Sequence, residues 1–284
     1  MKTVFLDIDG TLVADKGIVP ESAIQAIKIA QKNGHKIFLC TGRAMPEIYP
    51  FILDIGFDGI IACGGNYVIT EGQTLLDRAF SREDLEELYD YFHKHDIDFY
   101  AEANSGLYMS RGCDRHLQRM IDEPEAFGIS EHVSESLAHF KGHLIAKDDL
   151  FISDINKISF LGSDHPFEEL AKHFEDKFEL FDLVVPVFGK NSGEISIKGT
   201  DKVKGIQLIM DYYDCDHEHT IAMGDGNNDL SMLKYCEVGV AMGNATTQLK
   251  EVAQIVSDHV NEDGLAKAFK LAGLIEEDTW NTLN

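Results

Sequence analysis

Two carboxylates separated by one residue, Asp7 and Asp9 in Asp7-Ile8-Asp9-Gly10-Thr11, follow the apolar run Thr3-Val4-Phe5-Leu6. They stand where a buried strand is expected to end. An extended backbone has a side-chain period of two, which turns Asp7 and Asp9 the same way and Ile8 the other. Carboxylates rarely serve packing at such a place; it suits the mounting of a nucleophile, and Gly10 frees the backbone for a sharp turn. Like charges this close repel unless a cation or a shared proton offsets them. Oxygen-only donors at a strand end favour Mg²⁺ over zinc or copper. An EF-hand loop is excluded, because it needs a Glu at its twelfth position and counting from Asp7 that residue is Ile18.

A second stretch repeats this logic. Met223-Gly224-Asp225-Gly226-Asn227-Asn228-Asp229 runs an apolar strand into glycines and carboxylates. In a parallel sheet the C-terminal ends of all strands emerge on one edge, so Asp7, Asp9, Thr41 and Asp225 are expected to converge. Carboxylates, a hydroxyl and glycine amides gathered there describe a magnesium site beside a phosphate cradle. The cradle needs a positive side chain, and Lys202, in the first turn of a helix returning to the core, is the best-placed candidate over Lys198 and Lys204. Arg43 has two candidate partners, a phosphate and the acidic residues on the helix after it, and the acidic residues are the expected ones.

The elements that must position these residues alternate between short apolar runs and helical patterns, the sign of βαβ units and a parallel sheet. Pro20-Glu21-Ser22 opens a helix with Ala23, Ile24, Ile27 and Ala30 on one face. Lys36 to Cys40 reads as a buried strand ending at Thr41-Gly42-Arg43, and Gly59 to Ala62 as a third strand. A helical stretch between them is shortened or kinked at Pro50. From about Ser81 the texture changes. Ser81-Arg82-Glu83-Asp84 reads as a helix start, and strands at Asp98–Ala101, Leu107–Met109, Lys157–Leu161 and Leu183–Val185 mix with helices at about 114–121 and 167–178, which suggests an α+β insert. The βαβ alternation returns after about Lys198.

Composition narrows the class of function. A formal net charge of −24 leaves no basic stripe for a nucleic-acid backbone, so nucleic acid is not an expected partner. No apolar stretch approaches the ~20 residues of a membrane helix, and Met1-Lys2 leads straight into a strand without a signal-peptide pattern, so the expected location is cytoplasmic. The five scattered cysteines contain no Cys-x-x-Cys pair and read as reduced thiols. His217-Glu218-His219 reads as a solvated loop.

Asp7 to Thr11, Thr41-Gly42-Arg43, Lys198-Gly199-Thr200-Asp201-Lys202 and Gly224 to Asp229, in this order, resemble the four motifs of the haloacid dehalogenase superfamily, and in particular its Cof-type phosphatases. The resemblance covers nearly the whole chain, including Val240 to Ala245 and Glu262-Asp263-Gly264. It implies an α/β fold: a Rossmann-like, doubly wound parallel-sheet core over 1–82 and 197–284, with an α+β cap of the C2 kind over 83–196 that sets substrate specificity. It also implies a phosphoric monoester hydrolase in which Asp7 attacks phosphorus and becomes an aspartyl-phosphate, while Asp9 protonates the leaving alkoxide and then activates water. Asp7, the Asp9 carbonyl and Asp225 would hold Mg²⁺. Thr41, the Gly42 amide, Lys202 and Asn228 would grip the phosphoryl oxygens, with Asp229 supporting Lys202 or a metal-bound water. The implied substrates are small phosphorylated metabolites, sugar phosphates first; a phosphomutase and a non-catalytic regulator on the same fold are the alternatives.

Overall fold

Thr3–Leu6 (β1) is buried at every position, as a central strand covered on both faces must be. A computed structural model describes residues 1–182, 186–199 and 201–276. Two units divide the chain. The first comprises Met1–Arg43, Ile48–Asp77 and the described part of 200–284; the second comprises Ala44–Glu47 and Arg78–Gly199.

In the first unit β1 pairs in parallel with Lys36–Cys40 (β2), which pairs in parallel with Gly59–Ala62 (β3). Beyond β3 the sheet turns antiparallel through Tyr67–Thr70 (β4) and Gln73–Asp77 (β5). Glu71 and Gly72, which join them, both have positive φ, as the hairpin turns that match strand twist require. This edge hairpin adds to the strands read from the sequence.

The second unit holds a six-stranded sheet built from Phe99–Ala103 (β6), Gly106–Met109 (β7), Leu144–Ala146 (β8), Ile155–Phe160 (β9), Phe178–Asp182 (β10) and Gly193–Ile197 (β11). Its order is β10-β11-β9-β6-β7-β8, antiparallel except for the parallel pair β7–β8. One face is apolar: Phe99, Ala101, Ile158, Phe160 and Ile195 pack with Leu85, Leu88, Tyr89 and Phe92 of helix Arg82–Lys94 and with Leu170 and Phe174 of helix Phe167–Phe174. Alternation sends Tyr100, Glu102, Lys157, Ser159 and Glu194 to the opposite face. The helix expected at 167–178 stops at Phe174; a turn over 175–177 follows, and Phe178 opens β10. Helix Glu131–His143 is structure beyond the elements expected from sequence. The strand expected at Leu183–Val185 lies outside the described residues.

The first unit's sheet is completed by Thr220–Gly224 (β12), Val238–Ala241 (β13) and Ile255–Val256 (β14), giving the order β14-β13-β12-β1-β2-β3-β4-β5. Phe5, Phe38, Ala222 and Ala241 share a core with Ile206, Ile209, Met232, Leu233 and Leu249 from helices Lys202–Tyr213, Leu230–Tyr235 and Thr247–Val252. Helices Glu21–Lys32 and Gly264–Leu271 pack together. The architecture is α/β, with a doubly wound, mainly parallel sheet and an α+β insertion. Gly205 lets helix Lys202–Tyr213 approach the sheet, since a Cβ there would collide with the Ile61 side chain. The stretch after β2 forms a short 3-10 turn, Met45–Glu47, and a one-turn helix, Pro50–Leu53, that begins on Pro50, where a missing N–H costs nothing.

Candidate active site

Every acid of the site follows a strand of the parallel sheet. Asp7 comes directly after β1, and its N–H continues the ladder to the Met223 carbonyl at 3.0 Å. Thr41 follows β2 and is anchored the same way, N–H to the Ile61 carbonyl at 2.8 Å; Asp225 follows β12. Neighbouring parallel strands in register therefore bring these residues together. Asp7, Asp225 and Asp229 each place a carboxylate oxygen within 4.8 Å of the others.

Lys202 is the cation among them. Its Nζ donates to Asp7 Oδ1 at 2.7 Å and to Asp229 Oδ1 at 2.5 Å, and all three residues are buried. The lysine sits at the N-terminus of its helix, capped by Asp201, whose side chain accepts from Lys204 N–H. Asp229 is fixed at its other oxygen by the Asp225 and Gly226 N–H groups, both at 3.0 Å. It spans the lysine and the loop after β12, and so orients both.

Thr11 and Asn244 hold Asp225; both stand inside the sequence motifs, where spacing alone gives neither a role. Thr11 Oγ1 donates to Asp225 Oδ1 at 3.3 Å, and Asn244 Nδ2 donates to Asp225 Oδ2 at 3.2 Å and to the Gly10 carbonyl at 2.8 Å. Asn244 Oδ1 in turn accepts from Val260 N–H at 3.0 Å. A signal existed in the recurrence of Asn244 after a second strand end, but its target was set by the fold. Gly10 is required here: its φ is +76°, and a Cβ would sit on the Asp225 carboxylate.

Asp9 and Arg43 depart from the sequence expectations. β1 ends at Leu6, and Leu12 and Val13 N–H groups close a turn on the Ile8 carbonyl, so the period of two does not carry through Asp9. Asp7 points into the buried cluster, whereas the Asp9 side chain is 63% exposed and held by Arg43 through Nε at 2.8 Å and Nη2 at 2.6 Å. Arg43 pairs with Asp9, a partner the sequence expectation did not include. Its N–H donates to Thr41 Oγ1 at 3.1 Å, which orients the threonine hydroxyl. Asn228 is exposed and turns its side-chain nitrogen toward Gly42, where a Cβ would lie 4.0 Å away.

The electrostatics follow from burial. Desolvation pushes the Asp7 carboxyl up, the Lys202 ammonium pulls it back, and Asp229 raises it again; the net direction is upward. Burial lowers Lys202 but Asp7 and Asp229 outweigh it, so the ammonium stays charged. Desolvation and then Asp229 raise Asp225 to about 6, against the hydrogen bonds from Thr11 and Asn244. Three carboxylates around one ammonium leave an excess of negative charge and oxygen donors only, a set that fits a hard divalent cation.

Comparison with known proteins places the chain in a family. The profile of the haloacid dehalogenase-like hydrolases matches residues 4–269. The Bacillus subtilis (strain 168) protein named "Putative phosphatase YkrA" is 31% identical over 277 residues, covering 97% of this chain and 99% of that one. The 5-amino-6-(5-phospho-D-ribitylamino)uracil phosphatase YcsE of the same strain is 26% identical over 272 residues, covering 95% of each. Among solved structures, the subclass IIB sugar phosphatase BT4131 of the same superfamily superposes with a TM-score of 0.73 at 25% identity, covering 97% of this chain and 100% of that one. No helix among the described residues is long and apolar enough to cross a membrane. The chain belongs to the haloacid dehalogenase-like hydrolases and is a phosphatase of their Cof type.

Proposed function

We propose that the protein hydrolyses small phosphorylated metabolites, sugar phosphates first among them, with Mg²⁺ and through an aspartyl-phosphate on Asp7. The observation that carries this reading is the Asp7 carboxylate at a strand end, bonded at one oxygen to Lys202 and grouped with Asp225 and Asp229. The free Oδ of Asp7 attacks phosphorus as the alkoxide leaves, and Asp9 gives the alkoxide its proton. Asp9 then takes a proton from water, whose oxygen attacks the phosphoryl group and frees Asp7. The Asp9 side chain, on an exposed ion pair with Arg43, can exchange that partner for substrate and water.

Lys202, the Thr41 hydroxyl, the Gly42 amide and the Asn228 amide act as the phosphoryl grip, with Asp229 holding Lys202 in place. The Asp7 carboxylate, the Asp9 carbonyl and Asp225 are the proposed Mg²⁺ ligands; the bound ion would neutralise phosphate charge so that an anionic nucleophile can approach. Residues 83–196 are proposed to select the substrate, and the protein to act in the cytoplasm on small molecules, without nucleic acid.

The test is phosphate release from sugar phosphates, nucleotides and pyridoxal phosphate, with and without Mg²⁺, for the wild type and Asp7→Asn. Mg²⁺-dependent release abolished by Asp7→Asn is the expected result. Absence of release from every compound would overturn the reading and direct attention to bisphosphate-primed isomerisation.

A further inference from the structure

Helix Glu131–His143, which lies wholly in the second unit, carries two imidazoles one turn apart on its exposed side. Its packed side is occupied: Ser134 and Leu137 are buried, Ser134 Oγ donates to the Ile121 carbonyl at 3.0 Å, and Lys141 pairs with Asp114 at 2.7 Å. Ile121 and Asp114 both belong to helix Arg111–Asp122. His139 and His143 are exposed and take no part in that packing. Residues four apart on a helix are neighbours, and the two ring centroids stand 4.8 Å apart with the planes at 64°.

That separation is the one two ligands need on a single ion. With a metal–nitrogen bond of ~2.0–2.1 Å and an imidazole centre about 1.1 Å beyond its nitrogen, two adjacent imidazoles on one metal have centres about 4.5–5.2 Å apart, from right-angled to tetrahedral geometry. The helix has already fixed the spacing, so chelation requires only rotation of the two side chains. The other close imidazole pair, His95 and His165, is different: its centroids are 4.1 Å apart, and His165 Nε2 is engaged by the Tyr91 hydroxyl at 2.8 Å.

The surroundings favour a cation. His143 is the last residue of the helix, where the macrodipole is negative, and a formal net charge of −24 draws cations to the molecule. The donors decide which cation. Neutral imidazole suits the late first-row ions, whereas Mg²⁺ prefers oxygen ligands. Among the described residues the only trio of close His, Cys, Asp or Glu donors is Asp7, Asp225 and Asp229, so at the histidine pair water fills the remaining positions.

We propose that His139 and His143 form a chelating site for a borderline divalent metal ion of the Ni²⁺, Cu²⁺ and Zn²⁺ class, built from other residues and other donor atoms than the carboxylate set that fits Mg²⁺. The bound ion ties the last turn of the helix to the turn before it. The site is independent of the phosphatase reading.

The experiment titrates Ni²⁺ into the full chain by calorimetry, with excess Mg²⁺ present to occupy the carboxylate set. His139→Gln and His143→Gln should each weaken Ni²⁺ binding by roughly 100-fold, because chelation makes the second bond an intramolecular one. His132→Gln, an exposed position on the same helix, should leave the affinity unchanged. With Cu²⁺ as the probe, electron paramagnetic resonance should show two imidazole nitrogens on the ion in the wild type and one in either variant. Absence of Ni²⁺ binding by the wild type would overturn the proposal. So would an affinity retained in His139→Gln or His143→Gln, an equal loss in His132→Gln, or a single imidazole nitrogen on Cu²⁺ in the wild type.

Discussion

The two units each bury a lysine among carboxylates, and the scaffolds treat them differently. Lys202 lies beyond the ends of parallel strands, where loop amides have no ladder partner, so Asp229 gains two backbone donors and Asp225 gains Thr11 and Asn244. Lys157 lies in the middle of antiparallel strands whose amides are committed to the sheet. Glu102 there has Ser159 and the lysine, and one of its oxygens is left without a hydrogen bond. Strand ends can finish a charged site with backbone; strand centres must finish it with side chains or a ligand.

The largest test of this contrast is to remove each ammonium. Lys202→Met should reduce turnover by roughly 10²- to 10³-fold, the usual consequence of losing one donor to a developing anion, as read from phosphate release under saturating Mg²⁺. Lys157→Met should leave turnover of p-nitrophenyl phosphate within about twofold, because the lost group touches no reacting atom.

Stability sharpens the comparison. Breaking a buried pair strands a charge and typically costs about 3–5 kcal/mol, so both lysine variants should unfold at lower denaturant concentration than the wild type. Mg²⁺ should restore much of the loss for Lys202→Met, whose carboxylates can hold a cation, and none for Lys157→Met. Equal rescue of both, or of neither, would break the distinction drawn between the clusters.

A smaller effect follows from Asp225. Its folded pKa, about 6, stands above the ordinary carboxyl value of 3.8. Between those values the folded state keeps a proton that the unfolded chain has lost, so without metal this residue's contribution to stability declines as pH rises from about 4 to about 6 and is level above that. Mg²⁺ competes with the proton, so its increase of the melting temperature should be larger at pH 8 than at pH 5. Asp225→Asn should reduce that pH dependence and leave the part that comes from Asp7, whose carboxyl burial also raises, as differential scanning calorimetry would show.

The smallest effect belongs to Arg43. Its pair with Asp9 is mostly exposed on the acid side, and surface pairs contribute about 0–1 kcal/mol. Arg43→Ala should therefore change stability by no more than about 1 kcal/mol in a denaturation curve. A larger loss would mean that Asp9 is held far more firmly than a proton carrier should be.

Much of the candidate site was legible because its residues followed strand patterns. The run Thr3 to Leu6 predicted the strand, and a strand that ends in Asp7 at a parallel sheet's edge leaves little choice of place. The same logic located Thr41 and Asp225. Asp9 was harder, because three hydrogen bonds to the Ile8 carbonyl end the alternation that the pattern extrapolated. The β4–β5 hairpin was not read, since β5 is largely exposed and its apolar signal weak. The helix read through Phe178 failed at its tail because β10 pairs with β11, a partner remote in sequence.

The sequence by itself determined the class of the protein: ordered motifs, apolar runs that end in carboxylates, and a change of texture where the insert begins. These are local properties, written in consecutive residues. The tertiary structure decided which side chains meet: Arg43 with Asp9, Thr11 and Asn244 with Asp225, and Glu102 with Lys157 and Ser159. Strand register and loop path bring those partners together from separate segments, and a buried charge is stabilised by whatever donor the fold sets beside it. No spacing within one segment encodes that donor.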